Sequence, residues 1–193
     1  MATLIPFAGL QAAPWKNGGG STTEIAVWPP GAGLDNFDWR ISVAAITADG
    51  PFSRFAGIER SLLLLEGAGV RLSIDGAPAI VLDAHYRLLR FAGEAEVMAH
   101  VSGATLDFNV MTRRASCRHT LTQWQAPRQL VRASAATLLF VAGDGPVTFG
   151  NGLRQFVLQR HDSLLLDDSD EDTWLLDAAA PTAMVQVDLF PEA

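Results

Sequence analysis

Apolar and polar residues alternate with a period of two along most of the chain, the pattern of half-buried strands. It is cleanest over residues 38–46. There Trp39, Ile41, Val43 and Ala45 fall on one side, and Asp38, Arg40, Ser42 and Ala44 on the other. In residues 22–28 a β-branched run alternates until Pro29-Pro30-Gly31 stops it. This puts Thr22, Glu24 and Ala26 on one face and Thr23, Ile25 and Val27 on the other. Ser21-x-x-Glu24 matches a helix capping box formally, but the β-branched run and the two prolines favour a strand. Residues 62–65 are a continuous apolar run of sheet-core type. Asp75-Gly76 predicts a hairpin between residues 70–74 and 79–82. Further strands are expected at 4–7, 86–91, 96–101 and 105–112. In the last, Thr105, Asp107, Asn109 and Met111 share one face. Turn signals recur about every ten residues, which indicates a sandwich or barrel.

The pattern occurs twice. Shifted by 76 residues, Leu62-Leu63 falls on Leu138-Leu139, Gly67 and Gly69 on Gly143 and Gly145, Asp75-Gly76 on Asn151-Gly152, and His85 on His161. Ten of the thirty positions in 62–91 are identical without a gap. Two β modules are therefore expected, residues 1–115 and a shorter 116–193, bridged by 113–129. They differ in charge. Glu24, Arg40, Arg60, Asp107 and Asn109 lie on or near strands of the first. The last strand of the second offers Met184, Val185, Gln186 and Val187. A single pocket would belong to the first module.

Composition narrows the function classes. With 193 residues, 49% hydrophobic and 18% charged, the chain can bury a sizeable core. A net charge of −7 argues against a phosphate-tracking surface, so no nucleic-acid partner is expected. Local arginines can still focus a positive field on a small anion. Cys117 is the only cysteine, which excludes an intrachain disulfide. Residues 1–13 lack a basic leader pattern, and no run approaches the roughly 20 apolar residues that span a bilayer. A cytoplasmic protein without a membrane partner is the expectation.

Familiar chemistries fail on spacing. Lys16 precedes Gly18-Gly19-Gly20 instead of following, so the loop is not a P-loop. Thr23 stands where a dinucleotide fingerprint needs its third glycine. The acidic run 168–172 has Thr173 and Ala179 where a calcium loop needs glycine and glutamate. His85, His100, His119 and His161 are scattered, with no His-x-His pair, so neither metal nor cofactor is expected. No Gly-x-Ser-x-Gly elbow is present, and Cys117 has no nucleophile context. A polar constellation remains, which periodicity fits in two ways. The polar faces meet solvent, with Glu24 and Arg40 a weak surface ion pair, or they line a pocket.

Pro14-Trp15-Lys16-Asn17-Gly18-Gly19-Gly20 with Thr23-Glu24-Ile25 resembles the signature of the HutD/Ves family. So do Asp38-Trp39-Arg40-Ile41-Ser42, Asp49-Gly50-Pro51-Phe52-Ser53, Gly57-Ile58-Glu59-Arg60 and Asp107-Phe108-Asn109-Val110-Met111. The family more often has aspartate at Glu59. The resemblance implies an all-β, double-module, cupin-like barrel of the RmlC jelly-roll type in a bicupin arrangement. It also implies a link to bacterial histidine utilisation, through binding of a pathway intermediate in a regulatory role.

On that reading the ligand is a small anionic metabolite such as N-formylglutamate or urocanate. Arg40, Arg60 and Lys16 would pair with carboxylates. Asn17, Ser42 and Asn109 would orient amide or formyl groups, and Glu24 and Asp107 would fix the arginines or accept an N–H. Backbone N–H groups of the glycine loop would form a small anion nest, and Trp15 and Phe52 an apolar wall. Two alternatives stay open: a metal-independent isomerase or hydrolase with Glu24 or Asp107 as general base, and an interaction protein whose β faces form an oligomer such as a homodimer.

Overall fold

The computed structural model describes residues 1–192 and is all-β apart from one 3-10 turn at Phe7–Gly9. Among the described residues no helix is long and apolar enough to cross a membrane. The chain divides into Gln11–Cys117 and a second unit made of Met1–Leu10 with Arg118–Ala193. The division thus falls at 117/118 and not at 115/116. The first ten residues, expected in the first module, lie in the second, because strand β1 (Thr3–Ile5) pairs with a late strand there.

The N-terminal module contains β2 (Ala12–Pro14), β3 (Gly20–Trp28), β4 (Trp39–Ile46), β5 (Gly50–Pro51), β6 (Ile58–Gly67), β7 (Val70–Ile74), β8 (Ile80–Leu82), β9 (Leu88–Ala92), β10 (Val97–Val101) and β11 (Thr105–Arg113). They form a six-stranded sheet, β2-β3-β4-β11-β6-β9, and a four-stranded sheet, β5-β10-β7-β8. The predicted hairpin joins β7 to β8. Asp75 and Gly76 have φ of 50° and 72°, the left-handed pair that a tight hairpin demands.

One face of the six-stranded sheet changes character along its strands. At one end Ile46, Leu62, Leu64 and Phe91 pack with Val70, Leu72, Leu82, Val97 and Ala99 of the smaller sheet into a dry core. The same face also carries Ser42 and Arg40 further along β4, Arg60 on β6, and Asp107, Asn109 and Met111 on β11, where Asp107 and Asn109 are level with Leu64 and Leu62. Antiparallel register fixes this, setting Asn109 beside Ser42 and Leu62, and Met111 beside Arg40 and Arg60. The alternation expected for residues 38–46 and 105–112 holds. That of residues 22–28 breaks, because Ile25 is an extra residue in a bulge between Glu24 and Ala26. Beyond the bulge Val27, not Ala26, shares the face of Arg40.

The second unit adds β12 (Cys117–Ala126), β13 (Arg128–Val131), β14 (Ala136–Val141), β15 (Val147–Gly150), β16 (Gln155–Leu158), β17 (Ser163–Asp167), β18 (Thr173–Asp177) and β19 (Thr182–Pro191). Its sheets run β1-β17-β14-β19-β12 and β13-β18-β15-β16. None of the four sheets closes on itself among the described residues.

The repeat is real, but its offset drifts. Leu62 and Leu64 of the first core correspond to Leu139 and Val141 of the second, and Asn109 opposite Leu62 corresponds to Gln186 opposite Leu139. On these strands the offset is 77 residues, while Leu82 and Leu158, opposite Val70 and Val147, keep 76. A one-residue slip turns a strand over, so the ungapped match aligned inward positions with outward ones.

Candidate functional site

The glycine loop positions the mouth of a cavity without lining it. Gly18 takes φ 72° in the turn between β2 and β3. Gly20 lies where β4 passes so close that a Cβ would stand 2.2 Å from the Ala45 carbonyl oxygen and 3.0 Å from the Trp15 ring. Close approach to a strand, not to a ligand, is what requires glycine there. The expected anion nest does not form. The Gly18 N–H donates to the Trp15 carbonyl at 3.0 Å, and the Gly19 N–H to Asn17 Oδ1 at 3.1 Å. The loop instead holds Trp15, whose Nε1 donates to Thr22 Oγ1 at 2.8 Å and whose ring meets Phe52 edge-on at 6.2 Å.

The cavity holds about 610 Å³ and lies entirely within the N-terminal module. Nine of the ten residues selected from the sequence line it: Trp15, Lys16, Asn17, Arg40, Ser42, Phe52, Arg60, Asp107 and Asn109. Glu24 does not. It stands outside, its carboxylate accepting from Arg40 Nε at 2.7 Å. The weak ion pair and the pocket, opposed in the sequence reading, therefore coexist at Arg40. Thr22, Phe55 and Met111 also line the cavity. Met111 shares the polar face of its strand, and Thr22 the face of Glu24, so alternation could have found both. Phe55 sits in an aperiodic loop and left no signal.

Three side chains of the sheet face are buried with hydrogen-bonding capacity unused. Arg60 is 6% exposed, Asp107 1% and Asn109 7%. Arg60 Nε, Asp107 Oδ1 and Asn109 Oδ1 have no partner among the described residues. Arg60 lies 4.9 Å from the ring centre of Phe91, 5.4 Å from Phe52 and 5.8 Å from Phe55. Such contacts are worth about 0.5–2 kcal/mol each, less than the several kcal/mol that burying an unpaired charge costs. Its other neighbour is the Ser53 carbonyl oxygen, at 3.4 Å from Nη1.

Burial pushes the Asp107 carboxyl up to about 7, although the positive charge of Arg60 works against the rise. Burial likewise lowers Arg60 to about 10; Asp107 opposes the change and Arg40 adds to it. Arg60 and Asp107 influence each other across the cavity without forming an ion pair. Lys16 makes no ion pair among the described residues either. The floor thus offers unneutralised cations beside bare acceptors. Each unsatisfied buried acceptor costs about 1–3 kcal/mol, a deficit that a ligand with complementary groups would remove.

Cupin folds commonly hold metals, and these residues do not fit one. The lining contains no imidazole, and its one carboxylate shares the floor with two guanidiniums. No cluster of three or more His, Cys, Asp or Glu side chains able to hold a metal ion occurs among the described residues.

The C-terminal module has a smaller cavity of about 330 Å³, which the sequence reading did not anticipate. Trp124, Gln186 and Asp188 line it. These three are bonded in a row. Trp124 Nε1 donates to Gln186 Oε1 at 3.1 Å, and Gln186 Nε2 to Asp188 Oδ2 at 2.8 Å. Asp188 Oδ1 accepts from Thr137 at 2.8 Å and from Ser134 at 3.1 Å.

A family model described as HutD matches residues 8–185. An uncharacterized 21.2 kDa protein in the hutC 3′ region of Pseudomonas putida is 37% identical over 159 residues, 82% of this chain and 83% of that protein. Protein Ves from Citrobacter koseri is 42% identical over 106 residues, and the matched part is 54% of each chain. Two solved structures cover nearly the whole chain. The conserved protein of unknown function PA5104 from Pseudomonas aeruginosa PAO1 has a TM-score of 0.89 at 32% identity, covering 98% of this chain and 99% of its own. HutD from Pseudomonas fluorescens SBW25 (formate condition) has a TM-score of 0.86 at 27% identity and full coverage of both. A cupin 2 conserved barrel domain protein from Leptotrichia buccalis has a TM-score of 0.64 at 11% identity, covering 96% of this chain and 95% of its own, a likeness of fold alone. With its cupin-like all-β fold and a family match running through both modules, the chain belongs to the HutD family.

Proposed function

We propose that this protein is a metal-free, bicupin-type binding protein of histidine utilisation, taking an anionic intermediate of that pathway, N-formylglutamate or urocanate, into the N-terminal cavity in a regulatory role. One observation carries the reading: a buried guanidinium, Arg60, with no counter-ion among the described residues, in a cavity with apolar walls and a polar floor. A carboxylate supplies the missing charge and can meet arginine with two parallel hydrogen bonds. Trp15, Phe52 and Phe55 exclude water from the contact. Neighbourhood to hutC in the Pseudomonas putida relative, and the name HutD in the Pseudomonas fluorescens structure, support the pathway. Thermal-shift titration tests the proposal. N-formylglutamate or urocanate should raise the Tm, as a ligand at a hundred times its Kd adds about 2.7 kcal/mol of stability. Arg60→Ala should abolish the shift. Silence of the wild-type protein towards both compounds overturns the reading.

The catalytic alternative has one specific support. Asp107, raised to about 7 and unpaired in the cavity, has the proton affinity of a general base at neutral pH. Glu24 has no such support, being outside the lining and held by Arg40. Turnover of either compound, lost in Asp107→Asn while binding persists, would favour an isomerase or hydrolase.

A further inference from the structure

We propose that Asp107 makes this cavity a reader of ligand N–H groups: an anion held by Arg60 is admitted when it presents an N–H to Asp107 Oδ1, and otherwise only when Asp107 first takes a proton from solvent. The inference rests on reading the cavity as a site for small carboxylates, and it adds which carboxylates and at what pH.

Register and burial support it. Arg60 lies opposite Met111, and Asp107 is four residues back along the same strand, with Asn109 between them on one face. A ligand lying on Arg60 and reaching inward passes Asn109 and ends at Asp107. The Oδ1 atoms of Asp107 and Asn109 are both buried and both unpartnered, so the inner half of the cavity asks for donors while the outer half asks for an anion. A ligand that brings only acceptors inward sets a lone pair against a carboxylate in a water-poor site. That contact is repulsive until one partner gains a proton.

The surroundings determine which partner gains it. From β6 Asp107 faces Arg60, and from β4 Arg40, whose charge is shared with Glu24 on β3. Lys16 reaches the cavity from the β2–β3 loop, and residues 51–55 contribute Pro51, Phe52, Ser53 and Phe55, none of which titrates. The smaller sheet faces this interior with Val70, Leu72, Val97 and Ala99. Desolvation outweighs the charge of Arg60 and sets Asp107 at about 7. A carboxylate arriving on Arg60 adds negative charge and pushes in the same direction. Asp107 therefore changes protonation where a physiological pH change reaches it.

Matched ligand pairs test this. One pair is 3-(pyrrol-2-yl)acrylate and 3-(furan-2-yl)acrylate, alike in size and charge but with N–H replaced by O. The other is N-formylglutamate and N-formyl-N-methylglutamate. Calorimetric titrations from pH 5.5 to 8.5, in two buffers of different ionisation heat, give affinity and proton uptake together. We expect the N–H member of each pair to bind at least tenfold tighter at pH 8, with no proton taken up. Its partner should take up close to one proton per site at pH 8 and lose the handicap by pH 6. Each unit of pH above the carboxyl's value costs the proton-requiring ligand about tenfold. In Asp107→Asn the pH dependence of both members should vanish. If that variant does not fold, the wild-type proton count still decides.

Equal affinities within each pair at every pH, without proton uptake, overturn the inference and leave carboxylate binding intact. If no member of either pair binds at any pH, the binding reading falls and the inference falls with it.

Discussion

Arg60, Asp107, Asn109 and Met111 in the N-terminal module correspond to Thr137, Met184, Gln186 and Asp188 in the C-terminal one, through the register each set keeps with its own sheet. One backbone plan thus carries two chemistries. In the first module a guanidinium Nε–H, a carboxyl oxygen and an amide oxygen are buried without partners among the described residues. In the second, Thr137, Gln186 and Asp188 bond one another and recruit Trp124 and Ser134. The second module does bury a guanidinium with free N–H groups, Arg132, but that side chain has Asp172 at 3.7 Å and lines neither cavity. Buried polar groups are nearly always satisfied in folded proteins. The set that closes on itself supports a fold, and the set that stays open supports a ligand.

Removing one carboxylate from each module should therefore change stability with opposite signs. Raising Asp107 from 3.8 in the ordinary case to about 7 corresponds to about 4 kcal/mol. Between about pH 4 and 7 the folded protein keeps a proton on Asp107 that the unfolded chain has released. The contribution of this group to stability is thus intact at low pH and lost as pH rises through that window. Asp107→Asn should stabilise the ligand-free protein by about 1–4 kcal/mol at pH 8 and leave it unchanged near pH 4. Asp188→Asn should destabilise by about 1–3 kcal/mol at pH 8, since its hydroxyl and amide donors lose a charged acceptor. Chemical denaturation at both pH values measures both. Two losses of equal size would break the comparison.

Next in size is Arg60→Met. Replacing a buried, unpaired charge by an apolar side chain of similar length is neutral or stabilising by about 1–3 kcal/mol. The variant should melt no lower than wild type yet show no thermal shift with N-formylglutamate or urocanate. Loss of both stability and response would mean that Arg60 serves packing against Phe52, Phe55 and Phe91. In the other module Trp124→Phe removes the Nε1–H bond to Gln186 and should cost about 1 kcal/mol, with no ligand phenotype.

Much of this was legible in the sequence, for definite reasons. Strict alternation through residues 38–46 and 105–112 put Arg40 with Ser42 and Asp107 with Asn109 on shared faces, because a strand has only two sides, but it could not say whether those faces meet solvent or a pocket. What alternation could not see was Ile25. One bulged residue reversed the later half of β3, and nothing in a β-branched run announces where a bulge falls. The repeat misled through the same property. A match rich in leucine and glycine fixed the hairpins, but a one-residue drift on β14 and β19 hid Thr137 and Asp188 as counterparts of Arg60 and Met111. The glycine loop was expected to offer its backbone N–H groups to an anion. Its glycines answer to Ala45 and the turn, while Trp15, Lys16 and Asn17 beside them reach the cavity.

The smallest expected effect concerns how each module orients the side chain beside its polar row. Trp124 is held from inside, by Gln186, whereas Arg40 is held from outside the cavity, by Glu24. The Arg40 side chain is 14% exposed and that of Glu24 43%, so the pair sits at the water boundary and is worth about 0–1 kcal/mol. Glu24→Gln should barely move the Tm. Its amide oxygen can still accept from Arg40 Nε, so the guanidinium stays aimed, but the negative charge that competes with an incoming carboxylate is gone. Anion affinity should then rise about two- to fivefold at low salt and return towards wild type at high salt, where exposed charges are screened. Glu24→Ala removes charge and orientation together, and its affinity should fall below that of the glutamine variant. Titrating both variants with N-formylglutamate at two salt concentrations separates the two roles. Identical behaviour of the two would show that Glu24 orients nothing and that Arg40 is placed by its strand alone.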